Sequence, residues 1–298
     1  MHSGGKQPLT AKTIERKAYA KVNLTLDILK RLPSGYHEVE FVMQQISLHD
    51  IVFVKEIPKG IRIKCDLESI PTDQRNLCWK AVELMQAEAK THKGAEITIQ
   101  KRIPMAGGLA GGSTDAGAVL HALNEMWNVG LGQKKLLELG EKIGMDVCFC
   151  IVGGTAFAYG RGEKLRPIKG PAELDLVLSN PGVEVPTPWA YKNLNTELIG
   201  SKMASRKMEK LLEAGANAKT IAGALHNDFE YSVLRHFPII EKVKDKANEA
   251  GAINSLMSGS GSTVFGIAES EAKAKKIRES LLREFPATFT AKTIQSLE

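Results

Sequence analysis

The sequence has few of the features that mark membrane or secreted proteins. No run approaches the ~18 consecutive apolar residues that a membrane-spanning helix needs. The first ten residues, MHSGGKQPLT, lack the apolar core of a signal peptide and are expected to form a flexible leader. Only four cysteines occur, with no CxxC pair, and Cys148 and Cys150 lie in an apolar run typical of buried thiols. These absences predict a cytoplasmic protein without a membrane anchor.

The sequence also has no long cluster of charges of one sign. The formal net charge is +6, but the basic residues alternate with acids, as in 241–249 and 271–280. Such stretches are typical of solvated helix faces, and no basic-aromatic module accompanies them. The sequence therefore argues against a nucleic-acid partner. Its modest positive excess suits an anionic small-molecule substrate equally well.

The most informative stretch is glycine-rich, IPMAGGLAGGSTDAGAVLHAL over 103–123. Ile97 and Ile99 alternate with polar residues ahead of it and predict a short strand. The apolar spacing behind it predicts a helix that begins near Ser113, with a hydroxyl residue as its N-cap. A strand, a glycine loop and a helix N-terminus together are typical of a phosphate site, because backbone N–H groups can turn toward an anion.

This loop departs from the better-known phosphate loops. Gly107 and Gly112 have the Walker-A spacing, but Ser113 follows where that loop needs a lysine. The glycine spacing also fails to match a dinucleotide fingerprint. The alternative interpretation is a flexible surface loop. If the loop binds phosphate, the missing cation must come from elsewhere in the chain.

Two polar residues and one acid are candidates to complete such a site. From Ala18 to Ile28 apolar and polar residues alternate, which predicts a strand with one buried face, and Lys21 and Asn23 project together from the polar face. Asp146 stands against an apolar run in GMDVCFC. A lone Asp after a helix is usually a cap or turn residue, but the apolar setting favours a functional carboxylate.

The remaining patterns mix strands and helices, which predicts an α+β protein of two domains. Further strands are predicted at 46–55, 61–65, 155–159 and 174–178, and helices at 76–89 and 133–143. The segments 160–170 and 180–191 read as loops, the first as the domain seam. A mostly helical pattern follows as far as Asn248, and a Gly/Ser loop at 258–262 precedes a last strand.

Three separated motifs resemble the GHMP kinase superfamily: AKVNLTL (20–26), PMAGGLAGGSTDAG (104–117) and LMSGSGSTVFG (256–266). The longer stretches AKVNLTLDILKRLPSGYHEVE, GGTAFAYGRGE and VPTPWAYK are similar to its branch that phosphorylates 4-diphosphocytidyl-2-C-methyl-D-erythritol in non-mevalonate isoprenoid synthesis. The similarity covers nearly the whole chain after Lys17. Ala110 and Thr114 stand where many members have Gly and Ser, and both substitutions keep a small loop and a hydroxyl.

The resemblance implies a two-domain GHMP kinase fold. Residues 1–17 would be a flexible leader and 18–165 an N-terminal ATP-binding domain with a glycine-rich phosphate loop. Residues 166–298 would form a C-terminal α+β domain.

The resemblance also implies an ATP-dependent phosphotransferase with two catalytic residues. Asp146 would accept the proton of the attacking hydroxyl, and Lys21 would keep that carboxylate ionised and offset transition-state charge. Ser113 and Thr114 would face a Mg²⁺ ion that arrives with the nucleotide. The expected ATP-binding residues are Pro104, Met105, Ala106, Gly107, Gly108, Leu109, Ala110, Gly111, Gly112, Ser113, Thr114, Asn76 and Lys101. The glycine loop expected near the phosphates comprises Gly259, Ser260 and Gly261.

The cytidine end of the substrate would occupy an aromatic pocket. Tyr36 and His37 match the family's cytosine-binding pair, Tyr191 matches a second stacking aromatic with Thr187 nearby, and Asn23 matches a residue reaching the erythritol or phosphate part. Without the resemblance, Tyr36 and His37 would read as a turn with two half-buried rings. Homoserine, mevalonate or sugar kinases of the superfamily, or a non-catalytic nucleotide-binding homologue, remain the alternatives.

Overall fold

The computed structural model describes residues 12–195, 197, 199–200 and 203–295 of the chain. Within these residues the fold is α+β, as predicted, and is built on two sheets. The strands are β1 (Thr13–Arg31), β2 (His37–Ile57), β3 (Ile61–Cys65), β4 (Gly94–Gln100), β5 (Thr155–Gly160), β6 (Lys164–Pro167), β7 (Asp175–Asn180), β8 (His226–Asn227), β9 (Asn254–Met257), β10 (Val264–Ala268) and β11 (Ala287–Lys292). The helices are α1 (Leu77–Ala89), α2 (Gly111–Met126), α3 (Gln133–Ile143), α4 (Met145–Val152), α5 (Thr187–Lys192), α6 (Ala204–Glu213), α7 (Ala218–Gly223), α8 (Glu230–His236), α9 (Pro238–Glu249) and α10 (Glu271–Leu282).

The larger sheet has seven strands and is organised around β1. Its order is β3-β4-β2-β1-β8, and β5 pairs with β2 and β6. Four strands in the order β11-β7-β10-β9 make the second sheet. Helices α1 to α4 pack on one side of the larger sheet, and a second apolar core lies between the two sheets.

Strand β1 confirms the predicted alternation, but its polar face is buried too. Lys21, Asn23, Thr25 and Asp27 are all nearly inaccessible to solvent, because helices and loops cover this face. Buried polar side chains need partners, so this face is where hydrogen-bonded function is expected. The strand also begins at Thr13, so residues 13–17 belong to the sheet and not to a leader. The rest of the predicted leader, residues 1–11, lies outside the described residues.

The strand–loop–helix unit of the phosphate loop is confirmed, with a different helix start. Helix α2 begins at Gly111, and Ala110 occupies the N-cap in a left-handed conformation with φ 61°. No side chain caps this N-terminus, so the predicted hydroxyl cap near Ser113 is wrong. The uncapped turn leaves its first N–H groups available for a ligand.

Several other predictions are confirmed, and three are corrected. Helix α1 starts after its N-cap Asn76, and β3 and α3 have the predicted limits. The apolar run after Met145 is the short helix α4, which was missed because an eight-residue helix buried on most sides shows little amphipathic spacing. The predicted loops 160–170 and 180–191 contain β6 and α5. Pro186 and Pro188 mark the start of α5, where proline is tolerated, and were read as loop punctuation.

The chain crosses back between the sheets after β7. The short strand β8 pairs in parallel with β1, at Thr25 and Leu26. Ile46 on β2 bridges to Thr293, just beyond β11. The limits of 165 and 166 for the two domains therefore remain a prediction, since later segments contribute to the larger sheet.

Among the described residues, no helix is long and apolar enough to cross a membrane. The four cysteines are free thiols, and Cys148 and Cys150 are buried as predicted. Burial raises the pKa of the Cys148 thiol to about 11, so it stays protonated near neutral pH.

Candidate active site

A cleft of about 640 Å³ lies where the two glycine-containing loops meet β1 and α4. The phosphate loop forms one wall and the Gly/Ser loop, Ser258–Ser262, forms another. A second pocket of about 650 Å³ adjoins it. The two share the lining residues Met145, Arg161, Thr187 and Tyr191. A ligand with two chemically different ends could therefore span both.

Lys21 brings a positive charge to the phosphate loop. Its side chain is buried, and its Nζ donates to Asn23 Oδ1 at 2.7 Å and to Gly108 O at 3.0 Å. The same ammonium lies 4.0 Å from Asp146 Oδ2. Strand β1 thus supplies the cation that the glycine loop lacks in sequence, and the predicted pairing of Lys21 with Asn23 holds in space.

Asp146 sits in the first turn of α4 and faces the cleft. Its carboxylate is 42% exposed, in contrast to the buried Lys21 opposite it. A carboxylate in a first helical turn is favoured by the partial positive charge of the helix N-terminus. The acid is therefore held next to a buried cation while remaining open to a ligand.

The phosphate loop and the Gly/Ser loop pack directly on one another. Ser258 Oγ donates to Gly108 O at 3.0 Å, and Thr263 N donates to Gly107 O at 3.3 Å. A Cβ on Gly108 would stand 2.0 Å from Ser258 O, and Gly108 has φ 72°. Gly108 is thus required by loop–loop packing as well as by its backbone conformation.

Not every predicted ATP-binding residue lines the cleft. The Leu109 side chain is buried in the core, and its carbonyl accepts from Lys21 N at 3.2 Å. The Thr114 hydroxyl donates to Gly111 O at 2.8 Å and does not line the cleft, whereas Ser113 does. The Asn76 side chain is committed to Cys78 N and Pro71 O, as the N-cap of α1. Nine other residues of the loop do line it: Pro104, Met105, Ala106, Gly107, Gly108, Ala110, Gly111, Gly112 and Ser113.

Lys101 lines the cleft but is already engaged by two carboxylates that sequence reasoning missed. Its Nζ hydrogen-bonds to Asp50 Oδ2 and, at 2.9 Å, to Asp115 Oδ2. Burial lowers the pKa of Lys101, but the two carboxylates more than offset this, so its pKa is raised. Asp115 Oδ1 is buried without a described hydrogen-bond partner. Burial, opposed by Lys101 and reinforced by Asp50, raises the pKa of Asp115 to about 7.

The adjoining pocket holds the predicted aromatic set. Tyr36, His37, Thr187 and Tyr191 all line it. The rings of His37 and Tyr191 stack with centroids 5.0 Å apart and planes 17° apart. Burial, and secondarily Arg31, lowers the pKa of His37, so its ring is neutral near pH 7 and can both donate and accept. Burial raises the pKa of Tyr191 to about 12, with a further contribution from Asp146.

Two pocket residues escaped the sequence analysis. The guanidinium of Arg161 lies over the Tyr36 ring, 5.2 Å from its centroid, and lines both cavities. Phe229 meets the Tyr191 ring edge-on at 4.9 Å. Arg161 follows β5 in a GRG turn, which by sequence alone is an ordinary loop. Phe229 is distant in sequence, and its contact depends on how α8 packs.

Two places among the described residues offer oxygen ligands that a divalent metal ion could use. In the cleft, the Ser113 hydroxyl and the Asp146 carboxylate are oxygen donors of the kind Mg²⁺ prefers. Asp27, His226 and Asp228 also cluster. There, however, the Asp27 oxygens accept from Ala204 N and Ser205 N, and the Asp228 oxygens accept from Ile28 N and pair with His226. The oxygens of that trio already have protein partners, so of these two places the cleft fits better a metal that accompanies phosphate.

Comparisons with known proteins agree with this architecture. The family described as GHMP kinases N terminal domain matches residues 76–154, and GHMP kinases C terminal matches 208–287. A 4-diphosphocytidyl-2-C-methyl-D-erythritol kinase of Alkaliphilus metalliredigens is 42% identical over 91% of this chain and 93% of the relative. A crystal structure of 4-(cytidine 5'-diphospho)-2C-methyl-D-erythritol kinase matches with TM-score 0.83 at 32% identity, covering 94% of this chain and 99% of the other.

A homoserine kinase from Cytophaga hutchinsonii matches with TM-score 0.76 at 21% identity, covering 99% of this chain and 98% of the other. That similarity is one of fold alone. The two relatives above 30% identity named here each match more than nine tenths of this chain, and both names describe a kinase of the same cytidylated methylerythritol. This chain belongs to the 4-diphosphocytidyl-2-C-methyl-D-erythritol kinase family of the GHMP kinases.

Proposed function

We propose that the chain transfers the γ-phosphoryl group of ATP to the 2-hydroxyl of 4-diphosphocytidyl-2-C-methyl-D-erythritol, giving the 2-phosphate and ADP. The observation that carries this proposal is the Lys21–Asp146 pair, 4.0 Å apart, where the phosphate-loop cleft joins the aromatic pocket. The reaction would belong to the synthesis of isoprenoid precursors. The free thiols fit a reducing, cytoplasmic setting.

Asp146 acts as general base in this proposal. The substrate hydroxyl loses its proton to the Asp146 carboxylate as its oxygen bonds to the γ-phosphorus, and the bond from that phosphorus to the bridging oxygen of ADP breaks. A positioned carboxylate base contributes roughly 10²–10⁴ in rate. Lys21, fixed by Asn23 and Gly108, stabilises the negative charge that spreads over the transferred group.

The nucleotide end rests on backbone groups. The uncapped N-terminus of α2 and the glycine loop present N–H donors to the ATP phosphates. The Ser113 hydroxyl, which lines the cleft, would help to hold a Mg²⁺ ion that arrives with ATP, and that ion would neutralise phosphate charge. Thr114 is not expected to contribute, because it does not line the cleft and its hydroxyl points to Gly111 O.

The aromatic pocket selects the acceptor. A cytosine ring is flat with polar edges, so it needs aromatic faces and edge hydrogen bonds together. Tyr191, held by His37 and Phe229, offers a face, and neutral His37 offers a donor and an acceptor. Homoserine, mevalonate and galactose have no aromatic ring and so do not require such a pocket. The presence of Lys21 and Asp146 argues against a non-catalytic homologue.

The test is an ATP-consumption assay across four alcohols: the cytidylated methylerythritol, mevalonate, homoserine and galactose. We expect turnover with the cytidylated alcohol alone, and inhibition by CDP that competes with the alcohol and not with ATP. Equal turnover of another alcohol would reject the substrate assignment while leaving the kinase chemistry in place. ATP binding without turnover of any of the four would favour a nucleotide-binding homologue.

A further inference from the structure

Asn227 fixes the backbone of the Gly/Ser loop from beneath. It lies in β8 and is 2% exposed, and its side chain makes three hydrogen bonds within the described residues. Nδ2 donates to Met257 O and to Gly259 O, both at 2.8 Å, and Oδ1 accepts from Phe229 N at 3.0 Å. One buried amide therefore ties the Gly/Ser loop to the strand beside β1 and to the start of α8.

The bond to Gly259 O also determines where the next N–H points. In a trans peptide unit the C=O of one residue and the N–H of the next point in opposite directions. Since Gly259 O points down to buried Asn227, the Ser260 N–H points away from it. Gly259, Ser260 and Gly261 line the cleft and Asn227 does not. The Ser260 N–H therefore faces the cleft, and none of the described hydrogen bonds uses it.

The position of this N–H specifies its ligand. The loop stands against Gly108 of the phosphate loop on one side. On the other side Ser260 Oγ meets Thr187 Oγ1 at 2.9 Å, at the entrance to the aromatic pocket. A backbone donor between a phosphate loop and a nucleoside pocket is placed for an anionic oxygen.

We infer that Asn227 is a positioning residue that holds the Ser260 N–H toward a phosphate oxygen of the bound reactants. The inference rests on the proposed function for the identity of those reactants. The oxygen belongs either to the diphosphate of the cytidylated alcohol or to the ATP phosphate being transferred. Asn227 touches neither reactant and acts through the loop.

The sharpest variant is Asn227→Asp, which keeps the acceptor for Phe229 N and removes both donations to the loop. Asn254 offers a matched control, because its Nδ2 donates to Ala222 O at 2.8 Å and its Oδ1 accepts from Ser255 N at 2.9 Å. Asn254→Asp makes the same chemical change away from the cleft. Steady-state KM for each reactant, kcat and the melting temperature are measured for both variants.

We expect Asn227→Asp to weaken the binding of one reactant about 10- to 100-fold, or to lower kcat by that factor. Its melting temperature should lie below that of Asn254→Asp, because Asn227 loses two donated hydrogen bonds and Asn254 loses one. A raised KM for the cytidylated alcohol with weaker CDP inhibition assigns the oxygen to the substrate diphosphate. A raised KM for ATP or a lowered kcat assigns it to the transferred phosphate. Kinetics equal to those of Asn254→Asp would overturn the inference.

A second measurement uses the unaltered protein and so does not depend on the variant folding. In protein labelled with ¹⁵N-serine, the Ser260 amide is assigned by its loss in Ser260→Ala. A downfield shift of its proton with CDP or with ADP and inorganic phosphate supports the inference, and no shift with either refutes it. This result is separable from the alcohol assay, whose failure would reject the proposed reaction and not the orientation of this N–H.

Discussion

Asp146 is the proposed general base, so a substitution that replaces its carboxylate with an amide of nearly the same size is informative. Asp146→Asn should leave folding and ATP binding nearly intact and lower kcat by at least about 10²-fold, because an amide cannot accept the hydroxyl proton. Stopped-flow or steady-state kinetics with detection of ADP measure the change in kcat. Asp245→Asn, on the exposed side of α9, is the control. Near-wild-type turnover in Asp146→Asn would remove this residue from the mechanism.

Tyr191 tests the other end of the site. Tyr191→Ala should forfeit roughly 1–3 kcal/mol of stacking, which is about 5- to 150-fold in KM for the cytidylated alcohol, with KM for ATP unchanged. Tyr159→Ala, which removes a 41% exposed ring outside both cavities, is the control. If both variants bind the cytidylated alcohol equally well, the aromatic pocket is not the cytosine site.

At this scale, sequence reasoning succeeded where a local pattern carried the information. Strand alternation was enough to place Lys21 and Asn23 on one face, and their 2.7 Å hydrogen bond follows from that register. Asn227, Arg161 and the Asp50–Lys101–Asp115 cluster show no local pattern. Their contacts join residues that lie between 14 and 125 positions apart, and the packed chain brings them together.

Among the elements, the packing of the phosphate loop on the Gly/Ser loop can be tested at Gly108. Gly108→Ala combines a positive φ with a Cβ 2.0 Å from Ser258 O, so we expect a loss of roughly 2–4 kcal/mol in the free energy of unfolding and weaker ATP binding. Gly112→Ala is the matched control for stability, since its Cβ would meet only Leu77 Cδ1, at 3.9 Å.

Urea unfolding measures the free energy of unfolding of both glycine variants, and ATP titration measures their affinity for the nucleotide. Gly112→Ala should be neutral or slightly stabilising, because alanine is the better helix former in α2. A Gly108→Ala protein as stable as Gly112→Ala would mean that the two loops separate at little cost.

Helices α1 and α3 were predicted within a residue, whereas strands β1 and β2 extend well beyond the predicted 18–28 and 46–55, and the weakly patterned α4 was missed. Helix α1 has Asn76 as a side-chain cap and a clear apolar stripe. Helix α4 is apolar almost throughout, so no period distinguishes it from a buried strand. The N-terminus of α2 lacks a capping side chain, which made its start impossible to place from hydroxyl residues alone.

For the whole molecule, the buried cluster around Lys101 makes stability depend on pH. It holds one cation against Asp50 and Asp115, with the Cys78 and Cys150 thiols nearby. The folded-state pKa of Asp115, about 7, lies above its ordinary 3.8. The folded chain therefore holds a proton that the unfolded chain releases between these values. This contribution is fully present below about pH 4 and is lost as the pH rises through 7.

Asp115→Asn should remove that dependence. Between pH 4 and 7 the free energy of unfolding of the unaltered protein should fall relative to that of Asp115→Asn, by at most about 4 kcal/mol. Urea unfolding at intervals of one pH unit measures the difference, with Asp245→Asn as the control. Parallel curves for the unaltered protein and Asp115→Asn would show that Asp115 is ionised in the folded state.

The α+β class and the two-part organisation of the chain were predictable, because they depend on the order of strands and helices. The return of β8 to the larger sheet was not, since a two-residue strand leaves no signal in sequence. It is nevertheless the segment that carries Asn227 beneath the Gly/Ser loop.

The late insertion of β8 beside β1 has a consequence for synthesis. Lys21, the phosphate loop and Asp146 all precede Pro167, whereas β8 and the Gly/Ser loop follow it. At about 5–20 residues per second, the interval between translation of Pro167 and of Ser262 is roughly 5–20 s. During this interval the nascent chain already carries its acid and its lysine but lacks the wall that closes around the phosphates. A chain arrested on the ribosome between these points should contain the proposed catalytic pair, Lys21 and Asp146, and be unable to turn over ATP.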